Sequence, residues 1–260
     1  MNKTELKKIA DALAKAEKTG KAIPQFSKDH KKMTVQDAYK IHLMNMEDRF
    51  RSGEHLVGMK IGLTSLAMQH MLGIDTPDYG HLTDKMLILE GTTCKVNELI
   101  APKVEGELAF CLKKSLKGPA VTIADVYKAT KYVVPAIEVV DSRVKDWKIG
   151  YFDTVADNGS SARFVVGSGM TPIEDVDMRL TGMNFEKNGD LIASGTTAEV
   201  LGNPAAAVAW LANSLYEFGI ELKSGQIILS GALTAAVPAK SGDNFTVSFA
   251  GMGSVGLRFE

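Results

Sequence analysis

The sequence predicts an α+β protein in which a small helical region, residues 1–55, precedes a β-rich domain, residues 56–260. Apolar residues recur at helical spacing before residue 55, whereas short β-rich runs separated by glycine and proline follow it. The strand spacing lacks a regular βαβ alternation, and the sequence contains no Gly-x-Gly-x-x-Gly turn. These observations argue against a Rossmann fold and favour a helical front end joined to a β-rich body.

Two helices are expected in the N-terminal region. Apolar residues at helical spacing run from Leu6 to Ala16, and Gly20 is typical of a helix end. Thr34 has the side chain of an N-cap residue, so a second helix should begin there and run toward Arg51. The lysines and arginines of these segments are expected on the solvated faces of the helices.

The β-rich part contains one further clear helix and a series of strands. Asn203 can cap this helix, Pro204 fits its first turn and Gly219 ends it. The tail after this helix reads as a meander of three strands. The expected strands are residues 57–63, 102–110, 133–140, 163–167, 226–230, 244–249 and 254–259.

Composition narrows the classes of function. The chain of 260 residues is 45% hydrophobic and 23% charged, and its formal net charge is −1, so nothing indicates nucleic-acid binding. No apolar run approaches the about 20 residues of a membrane span, and the first residues lack the apolar core of a signal peptide. The two cysteines, Cys94 and Cys111, form no disulfide framework. We therefore expect a cytoplasmic protein that does not associate with membranes.

The run Glu105-Gly106-Glu107 places two carboxylates on one face of an otherwise apolar strand. Glu138 lies in a second apolar strand-like run. Carboxylates in such surroundings are unfavourable unless a cation neutralises them, although exposure on an edge strand or pairing with Lys103 would also explain the first two. Because the three ligands would all be oxygens, the sequence predicts a site for Mg²⁺ or Mn²⁺.

Lys60 interrupts the apolar, glycine-bounded run 57–63. A buried lysine often has a lowered pKa and can then act as an acid or base, whereas a lysine at a strand end can reach solvent along its aliphatic stem. The polar segment 153–163 is expected to be a loop that runs into a strand and could hold a carboxylate or a keto acid. Asp78, after Thr76-Pro77, is either a turn former or an acid that faces the substrate.

These motifs together resemble the hydratase/decarboxylase branch of the fumarylacetoacetate hydrolase superfamily, over essentially the whole chain. That branch includes 2-hydroxypenta-2,4-dienoate hydratase and 2-oxo-3-hexenedioate (4-oxalocrotonate) decarboxylase, which are lyases of the meta-cleavage pathway of aromatic catabolism. The resemblance implies a mixed β-roll or barrel with flanking helices, and a metal-binding catalytic domain over residues 56–260. The motifs that carry the resemblance are residues 57–65, 77–80, 105–107, 137–143 and 155–158.

The resemblance also implies roles for individual residues. The three glutamates, Glu105, Glu107 and Glu138, would bind Mg²⁺ or Mn²⁺, and the substrate would be a small 2-oxo acid. Lys60 and Asp78 are the expected catalytic residues. Family members assemble into homo-oligomers, and the decarboxylases associate with the dienoate hydratase that consumes their product. The residues expected to contact the substrate are Leu63, Ser160, Ser161 and Thr234.

The choice between the two lyases depends on a few local matches. Residues 158–163 resemble the Ala-Ser-Ser-Thr-Arg of the decarboxylases more than the Ala-Ser-Cys-Gly of the hydratases, with departures at Gly159 and Ala162. Residues 233–238 and 242–244 are also similar to the decarboxylases, whereas 146–149 and 68–73 are similar to the hydratases. The sequence therefore favours decarboxylation of 2-oxo-3-hexenedioate to 2-hydroxypenta-2,4-dienoate, with the hydratase as the alternative. A non-catalytic metal-stabilised subunit and a C–C bond hydrolase are more distant alternatives.

Overall fold

The computed structural model describes residues 1–66, 69–70 and 74–260. Part of the hydratase-like segment 68–73 (Met68 and residues 71–73) lies outside the described residues. In the described part, no helix combines the length and the apolar character that crossing a membrane requires. The helices used below are α1 (Lys3–Thr19), α2 (Val35–Arg51), α3 (Ile123–Ala129), α4 (Tyr151–Ala156) and α5 (Pro204–Tyr216).

Both N-terminal helices begin and end as their sequences predict. The Asn2 side chain accepts a hydrogen bond from the Glu5 amide at the start of α1, and Thr34 caps α2 in the same way through the Asp37 amide. Gly20 ends α1 in the left-handed conformation, with φ of 66°. The apolar faces of α1 and α2 contribute to the same buried cluster as the strands of the β-rich part. The division at residues 55 and 56 stays a prediction.

The strands form two sheets. The larger, mixed sheet has the order β2-β1-β10-β4-β5-β6, with β11 paired to β4 and β7 paired to β5. The smaller sheet has the order β3-β13-β12-β8-β9. The strands are β1 (Leu56–Gly62), β2 (Asp78–Thr83), β3 (Thr93–Cys94), β4 (Lys103–Leu112), β5 (Thr130–Val140), β6 (Ser161–Val166), β7 (Thr171–Pro172), β8 (Gly182–Lys187), β9 (Asp190–Thr196), β10 (Ile227–Ala232), β11 (Val237–Pro238), β12 (Asn244–Phe249) and β13 (Gly253–Phe259).

The expected three-stranded meander of the tail is wrong. Only β12 and β13 pair as consecutive antiparallel strands. Strand β10 instead inserts between β1, to which it is parallel, and β4, to which it is antiparallel. The apolar residues Ile228 and Leu229 are fully buried there. This placement satisfies the hydrogen-bonding groups of β10 on both sides, which a terminal meander would not do.

Strand β4 lies in the interior of the larger sheet, between β10 and β5. Val104, Leu108 and Phe110 belong to the main buried cluster, and the glutamates of this strand occupy the alternate positions. The alternative of Glu105 and Glu107 exposed on an edge strand is therefore wrong. The sheet instead buries Glu107 and leaves Glu105 half-buried.

Candidate active site

The three predicted metal ligands lie together. Glu105 on β4 is directly opposite Glu138 on β5, and Glu107 follows two residues along β4. One carboxylate oxygen of each residue lies within 4.8 Å of the others. Because residues opposite each other in an antiparallel pair share a face of the sheet, the strand register alone creates this cluster.

The cluster is electrostatically unfavourable without a cation. Burial raises the pKa of the Glu105 carboxyl to about 7, and the neighbouring charge of Glu138 adds to this shift. The pKa of Glu107 is raised well above its usual value by burial and by the charges of Glu138 and Glu105. Glu107 Oε2 accepts a hydrogen bond from the Gly231 amide at 2.7 Å, but its Oε1 has no partner among the described residues. Three convergent carboxylates with free oxygens fit a hard divalent cation such as Mg²⁺.

Lys60 projects from β1 toward this cluster and is buried. Its Nζ lies 3.5 Å from Glu138 Oε2 and donates a hydrogen bond to the Gly159 carbonyl at 3.1 Å. Burial alone would lower the pKa of Lys60, but the surrounding carboxylates, with Glu138 foremost, raise it above its ordinary value. Of the two interpretations of Lys60, the strand-end lysine that reaches solvent is therefore wrong, because the side chain is buried, and without metal the pKa of Lys60 is raised and not lowered.

Asp78 is buried at the start of β2, opposite Gly62 of β1. Its Oδ2 accepts a hydrogen bond from the Thr154 hydroxyl at 3.3 Å. Burial raises the pKa of Asp78, and the charge of Lys60 opposes that shift. A Cβ atom on Gly62 would overlap Asp78 Oδ1 and lie 2.9 Å from Lys60 Nζ, so a glycine is needed where these two side chains meet.

A left-handed turn presents the carbonyl that holds Lys60. Asn158, Gly159 and Ser160 have φ values of 59°, 59° and 53°. The buried Asp157 anchors the turn, since its Oδ1 accepts from Arg143 Nε at 2.6 Å and its Oδ2 from the Ser160 hydroxyl at 3.1 Å. The expected loop over 153–163 is thus partly wrong, because α4 extends to residue 156 and β6 begins at residue 161.

A cavity of about 720 Å³ opens beside the carboxylate cluster. Glu107, Glu138 and Ser161 are buried and do not line the cavity, whereas Glu105 does. The Ser160 hydroxyl is directed to Asp157, whereas the Thr234 hydroxyl is buried and has no partner among the described residues. Most of the predicted residues line the cavity, namely Lys60, Leu63, Asp78, Glu105, Ser160 and Thr234.

Sequence reasoning missed several lining residues. Lys103 had been considered only as a partner for the glutamates, yet its Nζ lies 4.2 Å from the centre of the Trp147 ring. The alternation of β4 could have indicated Lys103, since it shares a strand face with Glu105. The pairing of Arg143 with Asp157 was also missed, because the two residues are fourteen positions apart and belong to different motifs. The other missed lining residues include Tyr151 and Glu199.

The sequence and the structure both match known proteins. Residues 62–260 match the family model described as the C-terminal domain of fumarylacetoacetate hydrolase. The chain is 46% identical over 249 residues to a 2-hydroxyhexa-2,4-dienoate hydratase from Comamonas testosteroni, covering 95% of this chain and 94% of that protein. It is 40% identical over 259 residues to a 4-oxalocrotonate decarboxylase from Pseudomonas putida, covering 100% and 98%.

A solved structure agrees with the sequence matches. The 4-oxalocrotonate decarboxylase from Pseudomonas putida G7, complexed with magnesium and adipate, superposes with a TM-score of 0.97 at 39% identity. The match covers 100% of this chain and 99% of that one. The predicted fold is confirmed, and the relative with this fold holds magnesium. On these grounds the chain belongs to the fumarylacetoacetate hydrolase family.

Proposed function

We propose that this protein is a Mg²⁺-dependent lyase that decarboxylates 2-oxo-3-hexenedioate to 2-hydroxypenta-2,4-dienoate in the meta-cleavage pathway of aromatic catabolism, with Mn²⁺ as a substitute for Mg²⁺. The observation that carries the proposal is the cluster of Glu105, Glu107 and Glu138 beside a cavity that Lys60 also lines. This arrangement offers a metal and a cation to the two oxygens of a 2-oxo acid. The similar decarboxylases and hydratases are all lyases, which supports the reaction class.

The chemistry requires an electron sink at the C2 oxygen of the substrate. When the bond to the distal carboxylate breaks, its electron pair moves through the conjugated C=C bond and negative charge develops on that oxygen. A bound Mg²⁺ would supply Lewis acidity to this oxygen. Lys60 would donate a hydrogen bond from Nζ to the same oxygen, and its approach is directed by Glu138 and by the Gly159 carbonyl.

The other predicted residues would bind and orient the substrate. The Thr234 hydroxyl has no partner among the described residues and is available to a substrate carboxylate, and Leu63 offers an apolar contact in the cavity. Ser160 would act through the turn that it stabilises with Asp157. Ser161 stays a predicted substrate contact without a supporting contact to the cavity.

The hydratase is the second candidate, because the hydratase from Comamonas testosteroni shares more identity with this chain than the decarboxylase from Pseudomonas putida does, 46% against 40%. Hydration needs a positioned water and an acid–base group. Asp78 is buried beside Thr154 and has a raised pKa. It is the residue that would position the water and act as the acid–base group. The two reactions share the metal site, so activity alone distinguishes them.

The purified protein with Mg²⁺ should be incubated separately with 2-oxo-3-hexenedioate and with 2-hydroxypenta-2,4-dienoate. Substrate loss is followed by ultraviolet absorbance and carbon dioxide release by a coupled assay. We expect carbon dioxide release from the first substrate and its loss in Glu105→Gln. Consumption of the second substrate alone would establish the hydratase instead.

Two further alternatives make different predictions. A C–C bond hydrolase would release two acids from an acylpyruvate, but the described residues that line the cavity include no histidine to activate water. A non-catalytic subunit would bind metal and support a homologue without turnover of its own. Turnover by the isolated protein rules out the second alternative.

We also propose that the protein is a cytoplasmic homo-oligomer that forms a complex with the hydratase consuming its product. The support is family resemblance, together with two cysteines, Cys94 and Cys111, that form no disulfide. Light scattering after size-exclusion chromatography would give the mass of the particle. Co-elution with the purified hydratase would test the complex, and a monomer that elutes alone would overturn both proposals.

A further inference from the structure

The cavity contains a second cation besides Lys60. Lys103 occupies the first position of β4, and the alternation of the strand places it on the face that carries Glu105. It is half-buried, lines the cavity and holds its Nζ 4.2 Å from the centre of the Trp147 ring. Trp147 is fixed in turn by a hydrogen bond from Nε1 to the Ala101 carbonyl at 2.9 Å. Lys103 is therefore a positioned cation in the wall of the cavity.

The two lysines differ in the ion pairs and hydrogen bonds that their ammonium groups already form within the protein. Lys60 lies within ion-pair distance of Glu138 and donates to the Gly159 carbonyl. The ion pairs formed within the described part of the chain do not include Lys103, whose Nζ lies over the face of the Trp147 ring. A cation–π contact of this kind leaves the ammonium hydrogens available to an anion. Lys103 is thus the cation that can accept a new anionic partner.

The spacing along β4 suits a dicarboxylate. Residues two apart on a strand are about 7 Å apart, so Lys103 is about that far along the strand from Glu105, at the edge of the carboxylate cluster. An extended six-carbon diacid has a comparable length. With its 2-oxo acid end at the glutamates, such a molecule would bring its distal carboxylate toward Lys103. Glu199 also lines the cavity and would repel the same carboxylate.

We propose that Lys103, held against Trp147, binds the distal carboxylate of a 2-oxo dicarboxylic acid and sets a preference for diacids over monoacids. This inference rests on the proposed function, since it assumes that the 2-oxo acid end binds at the glutamates. Lys103 is a specificity-determining residue in this scheme and takes no part in bond breaking. The distal carboxylate departs as carbon dioxide, so a strong ion pair would stabilise the ground state, and the shared contact with Trp147 limits that effect.

Two unreactive analogues test the inference without turnover. Both 2-oxohexanedioate and 2-oxohexanoate carry the metal-binding end, but only the first has a distal carboxylate. Their dissociation constants should be measured by titration calorimetry on the Mg²⁺-loaded wild type, Lys103→Met and Lys103→Arg. We expect the wild type to bind the diacid about tenfold more tightly, which corresponds to about 1.4 kcal/mol. Lys103→Met should abolish that ratio, and Lys103→Arg should retain most of it.

The outcomes separate the hypotheses. If Lys103 only supported the charge of Glu105, Lys103→Met would weaken both analogues equally, and an unchanged ratio would overturn the inference. Equal binding of the two analogues by the wild type would also overturn it, while leaving a hydratase of monocarboxylates intact. Failure of the wild type to bind either analogue would overturn the proposed function together with this inference.

Discussion

Lys60 Nζ lies 3.5 Å from Glu138 Oε2, and this contact joins the wall of the cavity to the carboxylate cluster. Glu138 is at the same time opposite Glu105 across β4 and β5. The positive charge of Lys60 therefore sits beside the place where a metal-bound 2-oxo acid would present its oxygens. A metal on the glutamates and a substrate next to Lys60 would share one electrostatic environment.

Replacing Lys60 by methionine should abolish most of the activity while leaving the metal site usable. The variant keeps most of the length of the side chain but cannot donate a hydrogen bond to the substrate, and one such donor contributes on the order of 10²–10³-fold to the rate. The kcat of Lys60→Met should fall by that factor, and calorimetry should still detect Mg²⁺ binding. Lys40→Met, at an exposed position of α2, is the matched control. Undiminished kcat would remove Lys60 from the mechanism.

Mg²⁺ should stabilise the wild type against unfolding, because it neutralises three clustered carboxylates, of which Glu107 and Glu138 are buried. A ligand that binds only the folded state at one hundred times its dissociation constant adds about 2.7 kcal/mol to the free energy of unfolding. Glu107→Gln should lose most of this gain, yet in chelator it should melt no lower than the wild type, since it removes a buried carboxyl whose ionisation the neighbouring carboxylates oppose. Differential scanning fluorimetry with and without Mg²⁺ measures both effects.

The exposed Glu174 provides the control for that experiment, because Glu174→Gln changes the net charge equally and lies away from the cluster. Its response to Mg²⁺ should equal that of the wild type. A full Mg²⁺ response in Glu107→Gln would contradict the assignment of Glu107 as a ligand.

Arg143→Met should destabilise the protein strongly, because it leaves the buried carboxylate of Asp157 without its charged partner. Breaking a buried pair by removing one partner costs about 3–5 kcal/mol. Urea unfolding should show this loss for Arg143→Met, and the double variant with Asp157→Asn should lose less than the sum of the two single variants. A loss below about 1 kcal/mol for the single variant would show that Asp157 does not depend on Arg143.

The candidate metal ligands could be predicted from the sequence because the pattern that indicates each of them lies within a few neighbouring residues. The two-residue period of a strand placed Glu105 and Glu107 on one face, and the apolar flanks of Glu138 indicated burial. The helix caps at Asn203 and Thr34 were predictable for the same reason, since a cap involves residues two or three positions apart.

The features that were missed depend on contacts between distant parts of the chain. Nothing near β10 indicates that it inserts between β1 and β4, because parallel pairing to β1 joins segments that lie far apart in sequence. The direction of the Lys60 pKa shift likewise could not be predicted from the sequence, since it depends on Glu138 and Asp78, which only the fold brings close. Strand alternation could have predicted that Lys103 lies on the same face as Glu105. Its contact with the Trp147 ring could not be predicted, because it joins distant parts of the chain.

The buried histidines should make the protein sensitive to acid. His81 Nδ1 lies 2.9 Å from His42 Nε2, and burial lowers the pKa of His81 to about 4 and that of His42 well below its usual value. A histidine whose folded pKa lies below its unfolded value of about 6.5 stabilises the protein fully above pH 6.5. That stability is lost as the pH falls from 6.5 toward 4, because the unfolded chain takes up the proton first.

For His81 alone the shift corresponds to about 3 kcal/mol of unfolding free energy between pH 6.5 and pH 4. The raised pKa of Glu105 acts in the opposite direction, so the informative quantity is the difference between the wild type and His81→Asn. Denaturant unfolding at pH 7 and pH 4.5 should show a smaller acid-induced loss in His81→Asn than in the wild type. His70→Asn, at an exposed position, should behave like the wild type. Equal losses in His81→Asn and the wild type would mean that His81 does not stay neutral in the folded protein.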